Sequence, residues 1–256
     1  MTIKQSYSKI RLSFILIFLS LAYSHSVPTL ETIQKTYQNT TPHFWGDHSP
    51  SIITKIHTSQ PYIFLTLDAC SGKYDQRIIN LLRQKKIPAM LFINARWIKL
   101  HSDDFLDLAK DPLFSIQNHG FKHKPLSVNG KSAYHIQGTQ NIQEVYQEIM
   151  LNDHKIQELT GKKPRFFRSG TAYYDEIALQ ILSDLGYQAI GFDVLGDAGA
   201  TFSKEQIIKQ TSLVTNGSIL IYHFNHPEKA TYDGLKEVIE ILEKKGFIFK
   251  NLSDFL

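Results

Sequence analysis

The residues of this chain best suited to chemistry stand at the ends of its apolar runs. Asp68 closes Tyr62–Leu67, His119 and His123 follow Phe114–Asn118, and Arg168 closes Arg165–Arg168. Asp193 follows Gln188–Phe192, and His223 follows Ser218–Tyr222. Each identity suggests a task. A carboxylate after a strand buried on both faces, as Asp68 is expected to be, is a general base, a metal ligand or the partner of a cation. Two imidazoles four residues apart, His119 and His123, can chelate one divalent ion if a single turn or tight loop holds them. Gly120 and Pro125 argue for the loop, and the glutamate of the helical zincin motif is absent. His223 can protonate a leaving amine near neutral pH. Arg168 can hold a carboxylate ionised, and Asp193 can raise the pKa of an imidazole. Either could equally be a plain ion pair at the rim. Cys70 is the one cysteine, so no intrachain disulfide is possible, and its place just after Asp68 makes it a further candidate.

These groups meet only if the strands run parallel, because the C-terminal strand ends of parallel α/β folds share one mouth. The alternation of short apolar runs with helical patterns from residue 61 onward supports that arrangement. The strand candidates are 62–67, 89–95, 114–118, 165–168, 188–192, 218–222 and 247–249, and seven suggest a barrel. Between them, Asn141 with Glu144 has the capping-box pattern at the head of the longest helix, and Ser203 with Gln206 opens another. The loop-like stretch 124–140 follows the His pair and is expected to form one wall of a groove. Residues 25–60, broken by Pro42, Gly46 and Pro50, are expected to wrap the barrel ahead of a single domain at 61–256.

The N-terminal 24 residues read as an export signal, with Lys4, Lys9 and Arg11 before the apolar run Leu12–Tyr23. An uncleaved anchor is the alternative, and either one places the protein in the periplasm or outside the cell. Those residues hold three of the 28 basic residues and none of the 24 acidic ones, so the remainder is close to neutral. With no basic stripe and no interleaved aromatics, nothing supports nucleic-acid binding.

In motif order, the chain from about residue 60 to 256 resembles the polysaccharide deacetylases of carbohydrate esterase family 4. The family's Thr-Phe-Asp-Asp is similar to Thr66-Leu67-Asp68-Ala69, and its His-Ser/Thr-x-x-His to His119–His123 with Gly120 in the hydroxyl position. Its Arg motif resembles Phe167-Arg168-Ser169-Gly170, its Asp motif Phe192-Asp193, and its Leu-x-His motif Ile221-Tyr222-His223. The resemblance implies a distorted (β/α)7 barrel that hydrolyses acetamido groups on glycans with a divalent metal, zinc first among the candidates. It implies that Asp68 is the base activating a metal-bound water and His223 the acid. Arg168 would orient Asp68, Asp193 would tune His223, and the N–H of Tyr173 or Tyr174 would share the oxyanion. His119 and His123 would hold the ion. Ala69 stands where the family places a metal-binding aspartate, so Asp68, Cys70, or a residue such as Asn118 or Asp197 must complete the set. The other reading of that gap is a glycan-binding protein without turnover. Trp97, Tyr134, Tyr173 and Tyr174 are the aromatics available to stack on sugar rings.

Overall fold

The structure, a computed structural model, describes residues 27–256; the segment read as an export signal or anchor lies outside them. Each of the seven apolar runs overlaps a strand, Tyr62–Ala69, Ala89–Ile93, Phe114–Asn118, Phe166–Phe167, Gln188–Ile190, Ile219–His223 and Ile248–Phe249, with Asp68 and His223 inside their strands instead of just after them. All pair in parallel. Parallel neighbours need long crossovers, and helices such as Gln76–Lys85, Ile142–Thr160, Glu176–Asp184 and Thr231–Lys244 supply them. The result is a distorted (β/α) barrel whose ladder ends at Ile52–Ile53 on one side and Val194–Leu195 on the other.

Strand alternation sorts the side chains into two layers. Ile63, Leu65, Leu67 and Ala69 join the helix-facing core with Ile78, Leu82, Trp97 and Leu235. Phe64 faces inward with Met90, Phe92, Phe166, Ile190 and Ile219. Thr66 and Asp68, sharing the parity of Phe64, point into the barrel too, where both meet Arg168. The apolar interior thus ends in a polar layer at the strands' C-terminal ends.

Three short pairings have no counterpart in the sequence pattern. Ile52–Ile53, within the segment expected merely to wrap the barrel, pairs with Ala189–Ile190 as a sheet strand. Val194–Leu195 pairs with Leu220–Ile221. The stretch 124–140 contains a hairpin of Ser132–Ala133 and Ile136–Gln137. Two-residue strands are too short to show a period. Helix Leu30–Tyr37 packs against Ile142–Thr160. The Ser203–Gln206 capping box is complete. Asn141 caps its helix through the Glu144 N–H, whereas the Glu144 carboxylate takes Lys124 Nζ at 2.7 Å. No helix among the described residues is long and apolar enough to cross a membrane.

Candidate active site

Asp68 and Arg168 form the buried centre of the site. Arg168 is fully buried and donates through Nη1 to Asp68 Oδ1 at 2.7 Å and Thr66 Oγ1 at 2.9 Å. Its other nitrogens donate to the carbonyls of Ile190 and Gly191 at 3.1 and 2.8 Å, and the guanidinium stacks 4.3 Å from the Phe92 ring centroid. A guanidinium so fully bonded has a single orientation. Burial alone would raise the pKa of Asp68, but Arg168, His119 and His223 outweigh it and hold the carboxyl below its usual range. Asp68 is therefore an ionised base with one oxygen fixed.

His119 leaves the end of Phe114–Asn118 fully buried. Its Nδ1 lies 2.8 Å from the Arg168 carbonyl, and a carbonyl only accepts, so the proton sits on Nδ1 and Nε2 offers a lone pair. Burial lowers the pKa of both His119 and His123, favouring neutral, ligating imidazoles. The Nε2 of His119 lies 3.6 Å from Cys70 Sγ and 3.6 Å from Asp68 Oδ2. One donor atom each from Cys70, His119 and His123 falls within a 4.8 Å cluster, the one group of three or more such residues among those described. The expected ligand Asp68 borders this cluster: Arg168 holds its Oδ1, and its Oδ2 faces His119 Nε2.

The loop between the two histidines rests on a residue that the sequence reading overlooked. Glu148, buried on helix Ile142–Thr160, accepts the N–H of Lys122 at 2.9 Å and of Lys124 at 3.1 Å, and a backbone bond from His123 as well. Its carboxyl is pushed up to about 7 by burial, against the pull of those amides. Gly120 makes this possible: its φ is +76°, and a Cβ there would lie 2.5 Å from Glu148 Oε1. Gly170 is constrained likewise, since its Cβ would meet the His123 carbonyl oxygen at 2.3 Å. Restoring a hydroxyl residue with Gly120→Ser is expected to destabilise the fold by about 1–3 kcal/mol, through overpacking and backbone strain. Thermal denaturation checks this, and an unchanged midpoint would show the loop to be free of Glu148.

His223 sits beside Asp68 in strand register. Its partner is Asp197, contrary to the sequence-based expectation of Asp193. Asp197 is fully buried; its Oδ1 meets His223 Nδ1 at 2.8 Å, and its Oδ2 accepts the His223 N–H at 2.8 Å and Thr231 Oγ1 at 2.9 Å. Asp193 instead accepts Ser218 Oγ at 2.9 Å and the Ile219 N–H at 2.7 Å, and pairs with Lys55 at 3.3 Å. The reason is register. Val194 pairs with Leu220 and Leu195 with Ile221, so Asp193 is level with the start of the strand, and the chain draws level with His223 only at Asp197. Burial would lower the pKa of His223, but the ion pair and hydrogen bond to Asp197 raise it above the ordinary value.

Other expectations shift as well. Asn118 donates to the Ile149 carbonyl and accepts the Gly120 N–H, both at 2.9 Å; its work is structural, and neither it nor Asp197 is available to an ion. The Tyr174 N–H is spent on the Gly46 carbonyl at 2.9 Å, while that of Tyr173 has only a long 3.4 Å contact to Thr171 Oγ1. Trp97 and Tyr174 are fully buried and cannot stack on a ligand. Tyr134 is 69 % exposed, and its ring meets Tyr173 at 5.5 Å, with Trp45 beyond at 5.7 Å. Tyr134, Ile136, Arg96 and His123 wall a cleft of about 550 Å³ that opens onto Asp68, Cys70, Arg168 and His223.

A family model described as polysaccharide deacetylase matches residues 55–190, more than half of the 256 residues. The chain is 22% identical over 209 residues to the peptidoglycan-N-acetylmuramic acid deacetylase PdaA of Bacillus subtilis strain 168, spanning 78% of this chain and 73% of that protein. The solved structure of B. subtilis PdaA, a family 4 carbohydrate esterase, superposes with a TM-score of 0.65 at 20% identity, over 88% of both chains. The family 4 pseudoenzyme BA3943 of Bacillus anthracis superposes with a TM-score of 0.66 at 21% identity, over 82% of this chain and 70% of that one.

Proposed function

The chain belongs to the polysaccharide deacetylase family, and on that premise we propose that it is a metal-assisted hydrolase removing N-acetyl groups from an envelope or extracellular glycan such as peptidoglycan. One observation carries the reading. The buried pairs Asp68–Arg168 and His223–Asp197 place an ionised carboxylate and a proton-bearing imidazole at facing register positions in one cleft. A base and an acid with opposed protonation states are what amide hydrolysis needs.

Asp68 takes a proton from the attacking water, and its second oxygen, held by Arg168, keeps the carboxylate aimed. The His223 imidazolium gives its proton to the departing amine nitrogen, and the Asp197 carboxylate stabilises the charged ring until then. Arg96 and His123 line the approach. The donor set fits a divalent ion, since His119 presents a free Nε2 and His123 is neutral and close by, with ring centroids 5.0 Å apart. Such an ion, zinc being the best match to nitrogen donors, would supply Lewis acidity toward the acetyl carbonyl.

Ala69 favours a second reading, a glycan-binding protein without turnover. Against it stands the cost of two buried ion pairs, each of which apolar residues of similar volume could replace without loss of stability. Binding alone gives no reason to keep them.

The glycan lies against Tyr134 in this reading. Tyr134 and His135 have φ of 49° and 62°, the positive pair of a type I′ hairpin that favours Asn and Gly. Tyr134→Gly is expected to stabilise the fold by about 1 kcal/mol while raising KM several-fold; a lower melting temperature would refute the backbone strain, and an unaltered KM would remove Tyr134 from the substrate. The function itself is tested by acetate release from chitooligosaccharides and peptidoglycan fragments. Turnover should vanish on chelation and return with zinc; turnover indifferent to chelators would refute the metal's part.

A further inference from the structure

We infer that Cys70, His119 and His123 form a three-ligand site for a thiophilic divalent ion, with the Cys70 sulfur in place of the carboxylate that Ala69 does not provide. The inference rests on the metal-assisted reading above and identifies its missing ligand.

Strand parity favours the sulfur. Ala69 is fully buried and carries only a methyl group, so it offers the cleft no donor. Asp68 faces the cleft, and the next residue of its parity is Cys70, which lines the cleft beside it. The sulfur also lies at ligand distance. A tetrahedral ion with a sulfur bond of about 2.3 Å and a nitrogen bond of about 2.1 Å sets S···N near 3.6 Å, and Cys70 Sγ lies 3.6 Å from His119 Nε2. Neighbouring donors are engaged elsewhere. His119 Nδ1 is occupied by the Arg168 carbonyl, leaving Nε2 for the ion. Asn118 is held by its loop and Asp197 by His223 and Thr231, while Asp68, with Oδ1 on Arg168, turns Oδ2 toward His119 Nε2 at 3.6 Å, where it serves as the base. With sulfur as the third donor, Asp68 stays free to be the base.

Ligation exchanges the thiol proton for the ion, and the proton leaves to solvent; nothing is oxidised or reduced. Burial and the Asp68 carboxylate hold the free thiol protonated, and the neutral S–H rests against the His119 lone pair until displaced. A thiolate with two imidazoles suits zinc and cobalt(II), and discriminates against magnesium, calcium and manganese, which prefer oxygen.

The test is the absorption spectrum of the metal-free full-length chain titrated with cobalt(II). Wild type should show visible d–d bands of tetrahedral intensity together with a near-ultraviolet sulfur-to-cobalt charge-transfer band. Cys70→Ser should lose the near-ultraviolet band and bind zinc roughly 100-fold more weakly. Cys70→Asp, which keeps an anionic donor, should recover tight binding without the sulfur band. Visible bands lacking the near-ultraviolet band in wild type, or unchanged zinc affinity in Cys70→Ser, would overturn the sulfur ligand while leaving the metal reading intact. No cobalt or zinc uptake by wild type would overturn both.

Discussion

Asp68→Asn should lower the rate of acetate release by about 10²–10⁴-fold, the usual worth of a positioned general base, while leaving glycan binding nearly unchanged. The amide oxygen can still accept from Arg168 Nη1, which donates to Asp68 Oδ1 at 2.7 Å, but it cannot take a proton from water. The same change leaves a fully buried guanidinium without its counter-charge, and removing one member of such a pair costs about 3–5 kcal/mol. Calorimetry must therefore accompany kinetics. A folded variant that binds substrate and turns over at the wild-type rate would remove Asp68 from the chemistry. The counterpart Arg168→Ala leaves the carboxylate buried and unpaired, and should raise the Asp68 pKa as well as destabilise the barrel.

Asp197→Asn should give the second large effect, visible as a change in the shape of the pH–rate profile. His223 acts as an acid and must be protonated, so activity is lost as pH rises through its pKa. Asp197 is the main influence raising that pKa against the effect of burial; the amide removes the charge, and the alkaline limb should move to lower pH. At neutral pH the rate should fall by about 10²-fold or more, as expected when an acid loses its correct protonation state. Asp193→Asn is the control. Its contacts are with Ser218, Ile219 and Lys55, so the limb should stay in place and only stability should drop, by about 1 kcal/mol. The reverse pattern would restore Asp193 as the partner of His223.

The contrast between these two aspartates shows where sequence reasoning succeeds and where it stops. Asp68 and His223 were legible because each ends an apolar run long enough to be recognised as a strand, and Arg168 because it directly follows the Phe166–Phe167 pair; the parallel architecture then gathers them at one mouth. Asp193 also ends such a run and attracted the assignment on those grounds. Asp197 follows a two-residue strand, Val194–Leu195, whose pairing register is a property of the folded sheet, not of local pattern. Once Asp193 is known to lie level with Ile219, counting four residues on from each reaches Asp197 and His223. Glu148 was hidden differently, as one more acid in an amphipathic helix. Its buried position is betrayed only by Gly120, where a small residue replaces a hydroxyl and makes room. Cys70 and Ala69 could have been separated by strand parity, but the end of that strand, at Ala69, had to be known first.

The most direct measurement is acetate release by the zinc-loaded wild type and by Asp68→Asn, side by side on the same N-acetylated glycan fragments, with binding of each protein measured in parallel. The account predicts acetate from the wild type, almost none from the variant, and similar binding by both. Binding by a metal-loaded wild type that releases no acetate from any fragment would contradict it and leave a cleft that only holds sugar.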